Sequence, residues 1–175
     1  MTPAPTHTEI PVLGPCLFKS PLHRIGGVTA PFKSATDRIL YHSHLLEDGR
    51  DVSTPSYEEA GAQEMIFFDP PRTTAGIVTC GGLCPGLNDI IRGLVNQCHF
   101  QYGISRVYGF RYGYEGLVQR YGHTPLLLKP SSVEQAHHFG GTMLGSSRGQ
   151  QDIGEMVDTL EDMKVDILFV IGGDG

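Results

Sequence analysis

The chain has 175 residues, 13 Lys+Arg against 19 Asp+Glu, and a formal net charge of −6. An acidic balance without a Lys/Arg-rich run argues against a nucleic-acid binder, because phosphate-backbone contacts need clustered positive charge. The longest apolar block considered, Ile167–Ile171, falls far short of the roughly 20 residues that span a bilayer. The start MTPAPTHTEI has neither a basic stretch nor a long apolar block, so no secretory signal is read.

Composition divides the chain. Residues 1–74 hold 9 of the 12 prolines and 5 of the 23 glycines, and are expected to be an extension ahead of a regular domain at 75–175. In the extension, segments such as Ile39–Leu46 are broken before any long period builds up, and Met65–Phe68 is expected as a short strand stopped by Asp69-Pro70-Pro71. Cysteines stand at 16, 80, 84 and 98. One C-x₃-C pair without a second cluster fits neither a zinc ribbon nor a disulfide framework, so reduced thiols and a cytoplasmic setting are expected.

From Ala75 the pattern becomes regular. Ala75–Cys80 (AGIVTC) predicts a buried strand stopped by Gly81 and Gly82. Pro85 suits a first helical turn, and Ile90, Ile91, Leu94, Val95 and Cys98 form one apolar stripe on the helix that follows. Arg106–Phe110 and Leu126–Leu128 predict further strands. Ser131-Ser132-Val133-Glu134 matches a capping box. A last helix places Ile153, Met156, Val157, Leu160 and Met163 on one face, and Asp166–Ile171 is a final buried strand before Gly172-Gly173-Asp174-Gly175. Strands alternating with amphipathic helices imply an α/β fold with a parallel sheet. Ligands in such sheets bind at the carboxyl ends of the strands.

Three glycine-rich motifs fall at predicted strand ends or in loops. In Gly81-Gly82-Leu83-Cys84-Pro85-Gly86-Leu87-Asn88, exposed backbone N–H groups and a helix N-terminus suit an anion, while a tight strand–helix turn explains the same glycines. The run fits neither the phosphate loop ending in Lys-Ser/Thr nor G-x-G-x-x-G. In Gly140–Gly149 (GGTMLGSSRG), Arg148 offers a fork of donors to phosphate oxygens. Asp174 in GGDG suits Mg²⁺ beside phosphates, and Asp-Gly is equally ordinary turn chemistry. Phe110, Tyr112 and Tyr114 suit either base stacking or core packing. His42, His44, His137 and His138 lack a ligand cluster, and Asp158, Glu161 and Asp162 are expected on a solvated helix face.

In combination and order, AGIVTCGGLCPGLNDIIRGLV, GFRYGYEGL, HHFGGTMLGSSRG and ILFVIGGDG resemble the phosphofructokinases, most of all the group found in plants, trypanosomatids and many bacteria. The resemblance covers about residues 75–175, and more loosely the Pro-rich front resembles that group's N-terminal extension. It implies a three-layer parallel-sheet nucleotide-binding domain, here incomplete. It implies Gly81 against nucleotide phosphates and Arg148 and Gly149 on the phosphoryl donor. Gly173, Asp174 and Gly175 would form the donor and metal loop with Asp174 on Mg²⁺, and Tyr114 would sit near the nucleotide.

The implied reaction moves the γ-phosphoryl of ATP to the 1-hydroxyl of fructose 6-phosphate, in proteins that assemble as dimers or tetramers. The family's T-I-D-N-D segment, which supplies the catalytic base, and its sugar-phosphate half do not occur in these 175 residues. The chain is therefore expected to be an N-terminal fragment without a catalytic residue of its own and inactive in isolation. Within the family, pyrophosphate is the alternative donor; plant-type pyrophosphate enzymes carry Asp where Gly175 stands here. NAD kinases and lipid kinases share only the GGDG motif. An inactive nucleotide-binding module acting through a partner is the non-enzyme alternative.

Overall fold

The computed structural model describes residues 9–24, 32–34, 36–41 and 55–172, and the chain divides into two compact units, Met1–Phe68 and Asp69–Gly175. The first unit holds two small antiparallel ladders. Strand β1 (Phe18–Lys19) pairs with β4 (Met65–Ile66), and β2 (Arg38–Leu40) pairs with β3 (Ser56–Glu58). The Arg38 guanidinium donates to the Ser56 carbonyl at 2.6 Å and to its hydroxyl at 3.2 Å, tying the second ladder together. The strand expected over Met65–Phe68 stops at Ile66. Of Ile39–Leu46, only the part through Tyr41 is described.

The second unit is built on β5 (Thr74–Cys80), all seven residues of which are buried. An apolar, β-branched run is what a strand covered on both faces requires. Parallel partners flank it: β6 (Arg106–Phe110) on one side and β8 (Ile167–Gly172) on the other. At the strand starts the Thr74 N–H donates to the Asp166 carboxylate at 2.8 Å and the Asp166 N–H returns to the Thr74 carbonyl at 2.9 Å, which sets the β5–β8 register. The sheet order is β7-β6-β5-β8, with β7 (Leu126–Leu127) at one end.

β7 corrects the sequence expectation. It has two residues rather than three, and it runs antiparallel to β6. Between β6 and β7 lie only the single-turn 3₁₀ segments Gly113–Leu117 and Gln119–Tyr121. Residues 111–125 are long enough for a crossover, but they form no helix to lie across the sheet, and the chain returns antiparallel.

Two helices cover the sheet, making three layers. α1 (Leu87–Asn96) lays Ile91 and Val95 on Ala75, Ile77 and Val107. α3 (Ile153–Asp162) brings Met156 and Leu160 to the other face, against Val78, Cys80, Phe110 and Leu168. The period of two along β5 thus sends Ala75 and Ile77 to one layer and Val78 and Cys80 to the other.

Local chemistry adjusts several expectations. α1 begins at Leu87 behind Gly86 (φ +89°), so Pro85 lies ahead of the helix and not in its first turn, while Asn88 lies inside it. Its buried face is narrower than the expected stripe, because Ile90 stays 47% exposed. The Ser131–Glu134 capping box does not form. The short α2 (Pro130–Val133) starts two residues sooner, with Pro130 at its first position and the Lys129 N–H donating to the Ser132 hydroxyl at 2.6 Å. Glu134 closes that helix instead of capping its start. On α3 the Asp152 carboxylate accepts from the Glu155 N–H at 3.0 Å. Met156 and Leu160 pack inward there, while Ile153 and Val157 are exposed. Asp158, Glu161 and Asp162 are exposed, as expected of a solvated face.

Candidate functional site

The carboxyl end of β5 and the loop Phe139–Gly149 meet in a set of short hydrogen bonds. The Thr79 hydroxyl donates to the Gly145 carbonyl at 2.6 Å and lies 3.0 Å from the Thr142 hydroxyl. The Ser146 hydroxyl donates to the Gly81 carbonyl at 2.6 Å, and the Gly81 N–H donates back to the Ser147 carbonyl at 3.3 Å. The Tyr112 N–H donates to the Leu144 carbonyl at 2.8 Å. The strand end, the glycine turn and the Arg148 loop therefore form one hydrogen-bonded piece.

Between them opens a cleft of about 510 Å³, lined by Gly81 and Gly82 of the glycine turn, by Gly140, Gly141 and Thr142, and by Ser146, Ser147 and Arg148. A second cleft of about 880 Å³ adjoins it and is lined by Gly81, Tyr114, Arg148, Gly149, Ile153 and Met156. Gly81 and Arg148 are common to both. Arg148 is the charged side chain among the described residues that line them, and no carboxylate does. Backbone N–H groups, hydroxyls and a guanidinium form a donor set suited to phosphate oxygens.

Tyr114 forms part of the second cleft's wall and packs with Cys80, the last residue of β5, in the α3-side core. Burial pushes the Cys80 thiol up, partly opposed by hydrogen bonding from Tyr114. Burial likewise raises the Tyr114 phenol, with Cys80 adding to the rise. Both groups stay neutral near pH 7, so Cys80 is a packing thiol and no ready nucleophile. Cys84, in the glycine turn, is exposed, and all four cysteines are free.

Gly81, Arg148, Gly149 and Tyr114 thus come together around two adjoining clefts. Gly173, Asp174 and Gly175 lie outside the described residues; Gly172, just before them, pairs with Cys80 at the sheet edge from which both clefts open. The sequence reading missed Asn88, which is buried on the apolar face of α1 beside Ile91 and Val95 and reaches the Phe139–Met143 segment. A polar residue in register with that apolar stripe was the available signal. Tyr112 packs not into the core but at the surface, 37% exposed, its ring 4.7 Å from that of His123. Among the described residues no helix is long and apolar enough to cross a membrane, and no group of three or more His, Cys, Asp and Glu is placed to hold a metal.

Both clefts lie at the strand ends of a three-layer α/β domain, the edge at which ligands of such sheets bind. The Phosphofructokinase family profile matches residues 74–175, and the chain belongs to that family. It is 46% identical over 174 residues to an ATP-dependent 6-phosphofructokinase of Amycolatopsis methanolica, an alignment covering 95% of this chain and 38% of the relative. It is 55% identical over 143 residues to one of Trypanosoma cruzi, covering 75% of this chain and 30% of that one. The chain therefore spans about a third of the length of these curated relatives.

Among solved structures, Pichia pastoris phosphofructokinase in the T-state aligns with a TM-score of 0.52 and 26% identity, covering 72% of this chain and 14% of that one. A pyrophosphate-dependent phosphofructokinase from Marinobacter aquaeolei shares the fold, with a TM-score of 0.50 and 20% identity over 58% of this chain and 26% of its own.

Proposed function

We propose that these residues form the donor half of an ATP-dependent 6-phosphofructokinase, a glycolytic kinase that moves the ATP γ-phosphoryl to the 1-hydroxyl of fructose 6-phosphate. The observation that carries this is the junction of the two clefts at Gly81 and Arg148: a smaller pocket lined by N–H, hydroxyl and guanidinium donors and a larger neighbour that shares both residues. The names of the most similar relatives supply the donor and the reaction.

Phosphoryl transfer asks mainly for positioning and for neutralisation of spreading negative charge. Gly81 lets the backbone approach the phosphates, and Arg148 offers paired N–H donors to oxygens that gain charge in transfer. Gly149 continues that wall beside the donor, and Tyr114 forms the side on which the nucleoside rests. Gly173, Asp174 and Gly175 complete the donor loop. Mg²⁺ would be held by the Asp174 carboxylate together with the donor's phosphates, a ligand set usual for that ion. When bound, Mg²⁺ offsets the charge of the phosphate oxygens.

Gly175 and the relatives' names favour ATP over pyrophosphate. The setting proposed is the cytoplasm, and the assembly is a homo-oligomer of the longer protein. Titration of the 175-residue chain with MgATP and, separately, with magnesium pyrophosphate tests the donor reading by calorimetry. Saturable MgATP binding that pyrophosphate competes for only weakly is expected; no MgATP binding, or tighter pyrophosphate binding, overturns it. A coupled assay with MgATP and fructose 6-phosphate is expected to show no turnover by this chain, because no carboxylate among the described residues lines either cleft to take the sugar's proton. Turnover that needs both donor and acceptor would overturn that second expectation.

A further inference from the structure

Asn88 is the second residue of α1 and 4% exposed. Its side-chain amide is used from both ends. The Nδ2 group donates to the Phe139 carbonyl at 2.8 Å, and Oδ1 accepts from the Met143 N–H at 2.7 Å. These two bonds bracket Gly140, Gly141 and Thr142, the wall of the 510 Å³ cleft that faces the glycine turn after β5. Behind the wall, a hollow of about 400 Å³ is lined by Asn88 together with Gly140 and Thr142. Gly140 and Gly141 stand in open surroundings. A Cβ on Gly140 or on Gly141 meets nothing within 4 Å. Thr142 is tied further: its hydroxyl lies 3.0 Å from that of Thr79 and accepts from the Leu144 N–H at 3.2 Å, and its carbonyl accepts from the Gly145 N–H at 3.1 Å.

Gly140 is then a glycine that the chain's own packing does not require. Its φ lies outside the left-handed region, and its surroundings are open. What an added methyl group would take up is space beside the cleft. We infer that Asn88 is a positioning residue for the donor: its amide staples the Gly140–Thr142 wall in place, and Gly140 keeps that wall thin enough for phosphate to pass close to the backbone. This inference rests on reading the cleft as the donor site. The chemistry is selective for an amide, because one side chain must both donate to a carbonyl and accept from an N–H four residues further on. A carboxylate at position 88 accepts but cannot donate when ionised, and it sets a negative charge behind a wall that faces an anion.

A double-mutant cycle in the 175-residue chain tests this, with MgATP as the probe. Gly140→Ala is expected to keep the thermal midpoint, since the site is open, and to weaken MgATP binding about tenfold. Asn88→Asp is expected to weaken it at least as much. The double variant is expected to bind no more weakly than Asn88→Asp alone, because a wall that is no longer held gives way to the added methyl. Wild-type affinity in Gly140→Ala, or strictly additive losses in the double variant, would overturn the inference.

Amide exchange separates the staple from the ligand reading. The Met143 amide is expected to be protected in the wild type and to lose protection in Asn88→Asp, while the Tyr112 amide keeps its own. If the wild type binds no MgATP, the donor reading falls, and unchanged Met143 protection in Asn88→Asp would overturn the staple as well. Should Asn88→Asp not fold, Gly140→Ala alone decides the matter.

Discussion

The Thr79 hydroxyl donates to the Gly145 carbonyl across 2.6 Å, joining the last turn of a buried strand to the loop that presents Arg148. Thr79 is fully buried, and the same oxygen lies 3.0 Å from the Thr142 hydroxyl. Replacing it by the near-isosteric valine keeps the volume and removes both partners' match. Thr79→Val is expected to lower unfolding free energy by about 1–3 kcal/mol, the cost of leaving a buried acceptor unmatched. Thr79→Ser is expected to retain most of that stability. Urea denaturation of the three chains measures it, and a valine variant as stable as the wild type would show that the bond ties nothing.

Arg148 sits on this braced loop yet is itself exposed, so its removal separates binding from folding. Arg148→Ala is expected to leave the thermal midpoint nearly unchanged. It is expected to weaken MgATP binding by about 1.5–3 kcal/mol, the range for hydrogen bonds to charged groups, or about ten- to a hundredfold. Arg148→Lys is expected to fall between, since an ammonium keeps the charge and loses the fork. Equal affinity of all three would remove Arg148 from the donor site.

Much of this was legible in the chain. The buried run Ala75–Cys80 and the amphipathic faces of α1 and α3 follow from periodicity, because both faces of one strand had to be covered. The glycine turn at Gly81 and the Arg148 loop stand out in the sequence, whereas Gly149 and Tyr114 were named as site residues through the family resemblance; all four line the larger cleft. Less legible was whatever depended on distant partners. Nothing local to Leu126–Leu127 tells that it pairs antiparallel with β6, because direction is set by the connection and not by the strand. Ser131 looked like a cap, but Pro130 fits a first helical position and moved the start to Lys129. Asn88, Thr79 and Ser146 act on backbone groups 51 to 66 residues away, a distance at which no local pattern operates.

Close packing around β5 yields a different test. A Cβ on Gly76 would stand 2.8 Å from the Phe110 ring and 3.0 Å from the Leu168 side chain, with Val165 at 3.2 Å. These neighbours belong to the α3-side core, and Phe110 is fully buried. Gly76→Ala is expected to destabilise by about 1–3 kcal/mol through overpacking, although alanine suits a strand better than glycine does. Pairing it with Phe110→Leu, which frees space, is expected to recover part of the loss. Calorimetric melting of the single and double variants measures this, and full additivity of the two losses would place the strain elsewhere.

Buried thiols predict how stability depends on alkaline pH. Burial raises both Cys80 and Cys98, and it raises Tyr114 with Cys80 contributing. These groups gain charge by losing a proton, so the folded chain keeps protons that the unfolded chain releases. Above the ordinary thiol value of about 8.5, the unfolded state therefore binds fewer protons and stability falls as pH rises toward the raised folded values. Below that value the contribution is fully present. The thermal midpoint is expected to drop between about pH 8 and pH 10, and Cys98→Ala, which removes a thiol raised by burial alone, is expected to shrink that drop. A drop of unchanged size in Cys98→Ala would assign the alkaline loss to other groups.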